Sequence, residues 1–400
     1  MSSKEARTVG LTRIGGDAEF VVIHDGEEIV DSYFITRAPV RGFETLVRGK
    51  SPVFVTEAAM RICGICHAAH GIASAEAIED AIGVAPPANG RLLREVIGLL
   101  NRVQSHLLHL VLVVPDIVRE QFASSLVLDV IKLLNMVNDV MARIGGAPTH
   151  PPNIVVGGIS RAPSEAGLKE VVRKVKEILK GYSRIKDVVL DEDRWSGKAF
   201  ALSKVSVNVE RLATHPFYGD RFNIDVNDVV TLRYPKFREG GLPEVVRATT
   251  SLVALYRGRA VEVGPRARLD IYRGLVGSTL MDLQRARVEE VSLALTRITE
   301  LLGRVSTSSS TRTSGLFFRR GAGVGVFEAP RGVLIHRVEV GDEGRVKGYK
   351  VVVPTMFNIP VVEAAAKGAP VSIADLVPRV FDPCVPCSTH LIEVGEWGPR

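Results

Sequence analysis

The chain has only four cysteines in 400 residues, too few for the disulfide framework that staples small secreted proteins. It also lacks an apolar run of roughly 18 residues, the length a membrane-spanning helix needs. The longest run, around Leu107 to Val114, is broken by His109 and stopped by Pro115 and Asp116, so no span is expected. Met1 to Thr8 is polar and charged, without the apolar stretch of a secretory signal. The expected location is therefore cytoplasmic, where thiols stay reduced. Basic residues exceed acidic ones by 51 − 45 = +6, but they are dispersed and form no patch interleaved with the sparse aromatics. Nucleic-acid binding gains no support from that pattern. No internal repeat of fixed period is visible.

What is present is an ordinary globular composition, 46% hydrophobic and 24% charged, in a chain long enough to bury a sizeable core. Alternation from Val9 to Ile35 around Asp25-Gly26 predicts a two-stranded hairpin. The spacing of Phe54, Ala58, Met60, Ile62, Ile65 and Ala69 predicts a helix from about Pro52 to Ile82. Cys63 and Cys66 would lie one turn apart on its face. Further helices are expected over Leu92 to Val114, ended by Pro115, and over Leu126 to Ile144, Ser164 to Leu190, Pro243 to Val263 and Ser278 to Leu302. Ser306 to Gly315 reads as a loop, and Gly321 to Val326 as glycines without the strand and helix of a dinucleotide site. Strands are expected over Gly332 to Val340 and Gly348 to Val353, around a turn at Gly341 to Gly344, then a short helix before the last cysteines. The fold class is mainly α with small β elements (α+β), a helical-bundle core in a single domain over 1–400. Its parts are a β-rich 1–50, a helical 51–305 and a β-containing 306–400.

All four cysteines fall in two CxxC pairs, Cys63/Cys66 and Cys384/Cys387, near opposite ends of the chain. Each pair brings two soft thiolates to one metal, and together they suit zinc, iron or nickel. Residue types leave structural zinc, an iron-sulfur or rubredoxin-like centre and rarer metals open. A redox dithiol fits less well, because neither pair follows a strand in a βαβ pattern. The neighbours are unlike a zinc ribbon: Arg61 and His70 flank the first pair in an apolar stretch, and Asp382 and His390 flank the second. Ionisable groups around thiols suit a metal site that moves protons.

The stretches RICGICHAAH (Arg61 to His70) and DPCVPCSTH (Asp382 to His390) resemble the two signature motifs of nickel-iron hydrogenase large subunits, in the same order and near the same ends. The resemblance extends to Pro39-Val40-Arg41-Gly42-Phe43-Glu44, to Ser105-His106-Leu107-Leu108-His109 with Pro115-Asp116, to Glu328-Ala329-Pro330-Arg331-Gly332, and to Val352-Val353-Pro354-Thr355 with Asn358. It implies Cys63 and Cys384 as terminal nickel ligands, and Cys66 and Cys387 as bridges to an iron carrying carbon monoxide and cyanide. It further implies Arg331 and Thr355 as hydrogen-bond donors to the cyanides and His70 as support for a bridging sulfur. Arg331, Asp116 and Asp382 would form a polar canopy over the open metal position. A magnesium or similar hard cation would sit on Glu44, the Val351 carbonyl and His390. Taken alone, Glu44 reads as a solvated carboxylate and His106 and His109 as packed histidines, which receive no metal assignment.

The implied activity is reversible heterolytic cleavage of hydrogen, in which the metals take the hydride and the Cys384 thiolate the proton, with Arg331 as auxiliary base. With all four thiols at the centre, electrons must leave through an iron-sulfur small subunit. The resemblance is closest to cytoplasmic types that reduce coenzyme F420 or feed heterodisulfide reductase. It therefore implies a flavin or deazaflavin-reducing partner, and a maturation endopeptidase that removes Leu391 to Arg400 after His390. One stretch departs from the family: where relatives carry Arg-x-Glu-Gly-His with a proton-relaying glutamate, this chain has Arg13-Ile14-Gly15-Gly16-Asp17. Gly15 cannot carry a proton, so either Asp17, His67 or water serves or turnover is low. A hydrogen-sensing regulatory hydrogenase and a zinc-stabilised scaffold are the alternative readings.

Overall fold

The computed structural model describes residues 4–238, 242–275 and 277–389. Its centre is the helix Ala88–Ile117, on which Leu93, Val96, Leu100, Val103, Leu107, Leu110 and Val114 are all fully buried. Residues on its other faces, Arg94, Asn101, Arg102, His106 and His109, are buried too. The helix is therefore surrounded, by Glu120–Gly145 and Leu280–Leu302, with Glu165–Leu190 completing a four-helix bundle. By length and hydropathy Ala88–Ile117 could cross a membrane, unlike the shorter run expected from sequence, yet 83% of its most apolar window is buried inside the protein. Pro115 does not end it. Its missing N–H leaves the Val111 carbonyl without its helical donor, yet the helix runs on to Ile117 and Val118 N–H closes it on the Val114 carbonyl at 3.0 Å.

Two of the expected helices fail for identifiable reasons. The expected helix over Pro243 to Val263 is a single turn, Glu244–Arg247, followed by strands Leu252–Tyr256 and Val261–Val263. These strands pair with Val229–Arg233 and Glu210–Leu212, respectively. A short apolar run does not distinguish helix from strand, and Arg257 and Gly258, both at positive φ, turn the chain between the two strands. The expected continuous helix over Pro52 to Ile82 is two helices, Pro52–Ala59 and His67–Ile82, separated by the cysteine loop. Cys63 is extended there, at φ −147° and ψ 135°.

The glycine-rich Gly321 to Val326 belongs to a strand, Gly321–Ala329, which heads an antiparallel sheet with Gly332–Val340 and Val346–Val352. Its alternate glycines face His67–Ile82 at backbone contact. A Cβ at Gly321, Gly323 or Gly325 would lie 1.9, 2.2 or 2.0 Å from the carbonyl oxygens of Ala81, Ala77 and Ala73. The N-terminal unit has three strands, Glu5–Leu11, Ala18–His24 and Ile29–Ile35, one more than the expected hairpin. A short helix, Leu376–Val380, does precede the last cysteines.

Candidate metal centre

Three backbone segments converge on one spot. The first cysteine loop leaves its helix at Met60–Ile62 and re-enters at His67. By breaking the helical ladder it releases backbone donors, and Ile65 N–H and Cys66 N–H point at Cys63 Sγ, at 3.2 and 3.4 Å. The second loop, 381–384, lies between Leu376–Val380 and the short helix Val385–Ser388. The N-terminal stretch straps it: Gly15 N–H donates to Pro383 O at 3.2 Å, and Val385 N–H to Gly15 O at 2.7 Å. Arg41 joins both loops through the carbonyls of Ile62 and Pro386.

The four sulfurs form a closed quadrilateral with sides of 3.2 Å (Cys63 to Cys384), 3.1 Å (Cys384 to Cys387), 3.3 Å (Cys387 to Cys66) and 3.4 Å (Cys66 to Cys63). None is a disulfide, and all four are buried. Hydrogen bonds from the other thiols, Cys384 foremost, hold Cys63 well below the usual thiol range. The bonding to Cys384 pushes Cys66 up, and burial pushes Cys387 up. Protein groups alone thus stabilise one thiolate here and oppose the next. A soft cation resolves that conflict, so the donor set fits a thiolate-bound metal.

Around the sulfurs, Arg331 sits at the tip of the hairpin between Gly321–Ala329 and Gly332–Val340. Its Nη1 lies 4.0 Å from Cys66 Sγ and 3.3 Å from Ser105 Oγ. Its Nη2 donates to Asp382 Oδ1 at 2.8 Å, and its Nε to the Asp382 carbonyl. Burial disfavours its charge, but Asp382 and the cysteines hold the guanidinium firmly protonated. Thr355 Oγ1 accepts from Cys384 N–H at 3.0 Å. Cys66, Cys384, Cys387, His70, Arg331 and Thr355 share the wall of one small cavity, completed by apolar Ala329, Leu334 and Pro354. Burial lowers His70 to about 4, leaving a neutral ring whose Nδ1 lies 3.0 Å from His336 Nε2. His336 in turn meets the Tyr349 hydroxyl at 2.7 Å, which donates to Ser74 at 2.7 Å.

Asp116 is placed differently from Asp382. Its carboxylate binds Arg379, Arg13 at 2.9 Å and Lys198 at 3.0 Å, and these cations, against burial, hold it below the usual range. Glu44 is buried at 5% exposure, and burial raises its pKa to about 8. The backbone of Val351 hydrogen-bonds it. His390 and Leu391 to Arg400 lie outside the described residues, while Arg41 N–H donates to Thr389 O at 2.8 Å, beside the Glu44 segment. Sequence reasoning missed His336 and Tyr349, whose only signal is a histidine and a tyrosine at buried strand positions. Arg41 and Ser105 lie in recognisable motifs, but nothing in the sequence signals their contacts with the cysteine loops and with Arg331.

The family described as nickel-dependent hydrogenase matches residues 41–114 and 306–390. The chain is 35% identical to coenzyme F420 hydrogenase subunit alpha of Methanocaldococcus jannaschii, over 96% of this chain and 94% of the relative. It is 32% identical to the protein of the same description from Methanothermobacter thermautotrophicus, over 96% and 94%. In fold it resembles the Ni-Fe-Se hydrogenase of D. vulgaris Hildenborough, with TM-score 0.81 and 23% identity over 97% of this chain and all of that one.

Proposed function

The chain belongs to the nickel-dependent hydrogenase family, as a large subunit and an oxidoreductase acting on hydrogen, and from that premise we propose that it splits hydrogen heterolytically and passes electrons to an iron-sulfur small subunit. The observation that carries the proposal is the sulfur quadrilateral, built from pairs 321 residues apart in the chain.

In this reading Cys63, Cys66, Cys384 and Cys387 would together hold the nickel and iron. Bound there, the two metals supply the electrophile that polarises the hydrogen molecule. Arg331 and Thr355 serve the small cavity beside Cys384 and Cys387, whose apolar walls and two donors suit carbon monoxide and cyanide on the iron. His70, fixed by His336, supports a bridging sulfur. Because Arg331 is held protonated by Asp382, Cys384 Sγ is the better first acceptor for the proton, and Arg331 acts as a fixed charge over the site. Asp116 ties Arg13 of the N-terminal strap to Arg379 and secures the canopy from behind. Glu44 and the Val351 carbonyl, with His390, would hold a magnesium or similar hard cation, which would return Glu44 to its carboxylate form.

Gly15 lies against Cys384, in backbone pairing with it, and supplies no proton acceptor. The proton leaves instead through Asp17, His67 or water. His67 is buried, and its ring centroid lies 5.4 Å from that of the half-exposed His150. The same glycine favours, as a second reading, a hydrogen sensor of low turnover. The likeness to F420 hydrogenase alpha subunits supports coenzyme F420 as the acceptor, reached through a flavin or deazaflavin-reducing subunit in the cytoplasm. Exposed Leu46, Val53 and Phe54, on the segments leading to the first cysteine loop, suit the docking of a small subunit. A maturation endopeptidase would cut after His390, which intact mass reads directly.

The test is infrared spectroscopy and hydrogen/deuterium exchange on protein purified with its partner. Carbonyl and cyanide bands with measurable exchange are expected. Zinc without nickel, and no such bands, would favour the scaffold reading. Bands with exchange far slower than hydrogen oxidation in relatives would favour the sensor.

A further inference from the structure

Behind the canopy lies a buried polar cluster that the reading above does not use. His109, on Ala88–Ile117, and Gln284 and Arg287, one turn apart on Leu280–Leu302, are all at most 2% exposed. Gln284 Nε2 donates to the Val380 carbonyl at 2.8 Å, and Arg287 Nη1 donates to the same oxygen at 3.0 Å. Arg287 Nη1 also reaches Gln284 Oε1 at 3.0 Å and His109 Nε2 at 2.9 Å, and His109 Nε2 lies 2.9 Å from Gln284 Oε1. The other ring nitrogen, His109 Nδ1, lies 3.5 Å from Asp382 Oδ1.

The cluster is more than a satisfied core. Among the described residues no carboxylate comes within 4.0 Å of the Arg287 guanidinium, and its Nε has no hydrogen-bond partner. A buried cation so placed is costly unless nearby acceptors and negative charge compensate it. The negative charge that favours it most is Asp382. Asp382 itself holds a left-handed backbone, φ 58°, which a non-glycine residue keeps only when its surroundings impose it. The carbonyl two residues before it is gripped by two donors from one helix. Its side chain and carbonyl then grip Arg331.

Resting on the hydrogenase reading, we propose that His109, Gln284 and Arg287 are positioning residues that fix the Val380 to Asp382 turn, and through Asp382 set Arg331 over the cysteine site. The two long helices of the bundle thereby act on the metal's surroundings without touching a ligand.

The experiment uses metal-loaded protein purified with its partner. Gln284→Met keeps the chain length and removes both polar atoms. Arg287→Lys keeps the charge and removes the fork that reaches Val380 and His109 together. Both variants should retain nickel and iron, shift the infrared bands of the iron's diatomic ligands, and slow hydrogen/deuterium exchange on the order of tenfold. In an Asp382→Asn background, Gln284→Met should add little further loss, because the two act on one element. Wild-type bands and rates in both variants, or full additivity with Asp382→Asn, would overturn the proposal. Loss of metal from both variants would mark a purely structural role and overturn it as well. A wild-type protein with neither bands nor exchange would instead sink the hydrogenase reading, and this inference with it.

Discussion

Glu44 shows how far one residue's environment can depart from its sequence appearance. After Arg41-Gly42-Phe43 it looks like a surface carboxylate, yet it is buried and its pKa is raised from 4.5 to about 8. A raised carboxylate means that the folded state binds a proton the unfolded state has released. In the metal-free chain this contribution is therefore fully present below about pH 4.5 and is lost as pH rises to about 8, on the order of a few kcal/mol. Magnesium would reverse the sign by stabilising the ionised form. Denaturation midpoints across that range should fall with pH without magnesium and recover when it is added. Glu44→Gln should lessen the slope and abolish the recovery; an unchanged magnesium response in that variant would remove Glu44 from the cation site. Nothing in the residue types around position 44 signals its burial, because its short helix Phe43–Leu46 packs on the strand Val346–Val352, some 300 positions away. The cysteines, by contrast, were legible, since spacing alone makes each pair a chelate.

At the scale of elements, periodicity revealed what packing alone decides and hid what backbone contacts decide. The bundle helices carry continuous apolar stripes and were readable to within about two turns. The cysteine loop was not, because its apolar residues continue the helical spacing while Cys63 takes the backbone donors for its sulfur. Nor was the glycine strand, whose glycines exist for close approach to a helix rather than for a turn. That contact gives a sharp prediction. A Cβ at Gly325 would lie 2.0 Å from Ala73 O and 2.8 Å from Ala77 N, backbone atoms that cannot step aside. Gly325→Ala should therefore lower stability by about 3 kcal/mol or more, read as a shift in denaturation midpoint. It should also reduce nickel retention, since the same strand carries Arg331 to the centre and its helix carries His70. A midpoint shifted by less than about 0.5 kcal/mol would show that strand and helix are not in contact as described.

For the whole molecule, the governing fact is that segments distant in sequence, 13–17, 60–66 and 381–389, meet at the cysteines. The strap at Gly15 and Gly16, the first cysteine loop and the segment from Phe381 to Thr389 are joined by a few hydrogen bonds, and a bound metal would lock them together. Metal removal should consequently loosen both ends, seen as faster amide exchange in residues 13–17, 60–66 and 381–389 while Ala88–Ile117 stays protected. Equal protection with and without metal would show that the centre is not what holds these segments. The described residues contain no further cysteine cluster for electron transfer, so the isolated large subunit should reduce physiological acceptors far more slowly than the complex. Full activity of the isolated chain would contradict the need for an iron-sulfur partner.

Nickel-edge X-ray absorption on the purified complex probes the convergence most directly. It should find nickel with sulfur neighbours and an iron atom close by, both lost in Cys384→Ser and in Cys66→Ser. Zinc in nickel's place, or nickel surrounded only by nitrogen and oxygen, would contradict a shared thiolate centre.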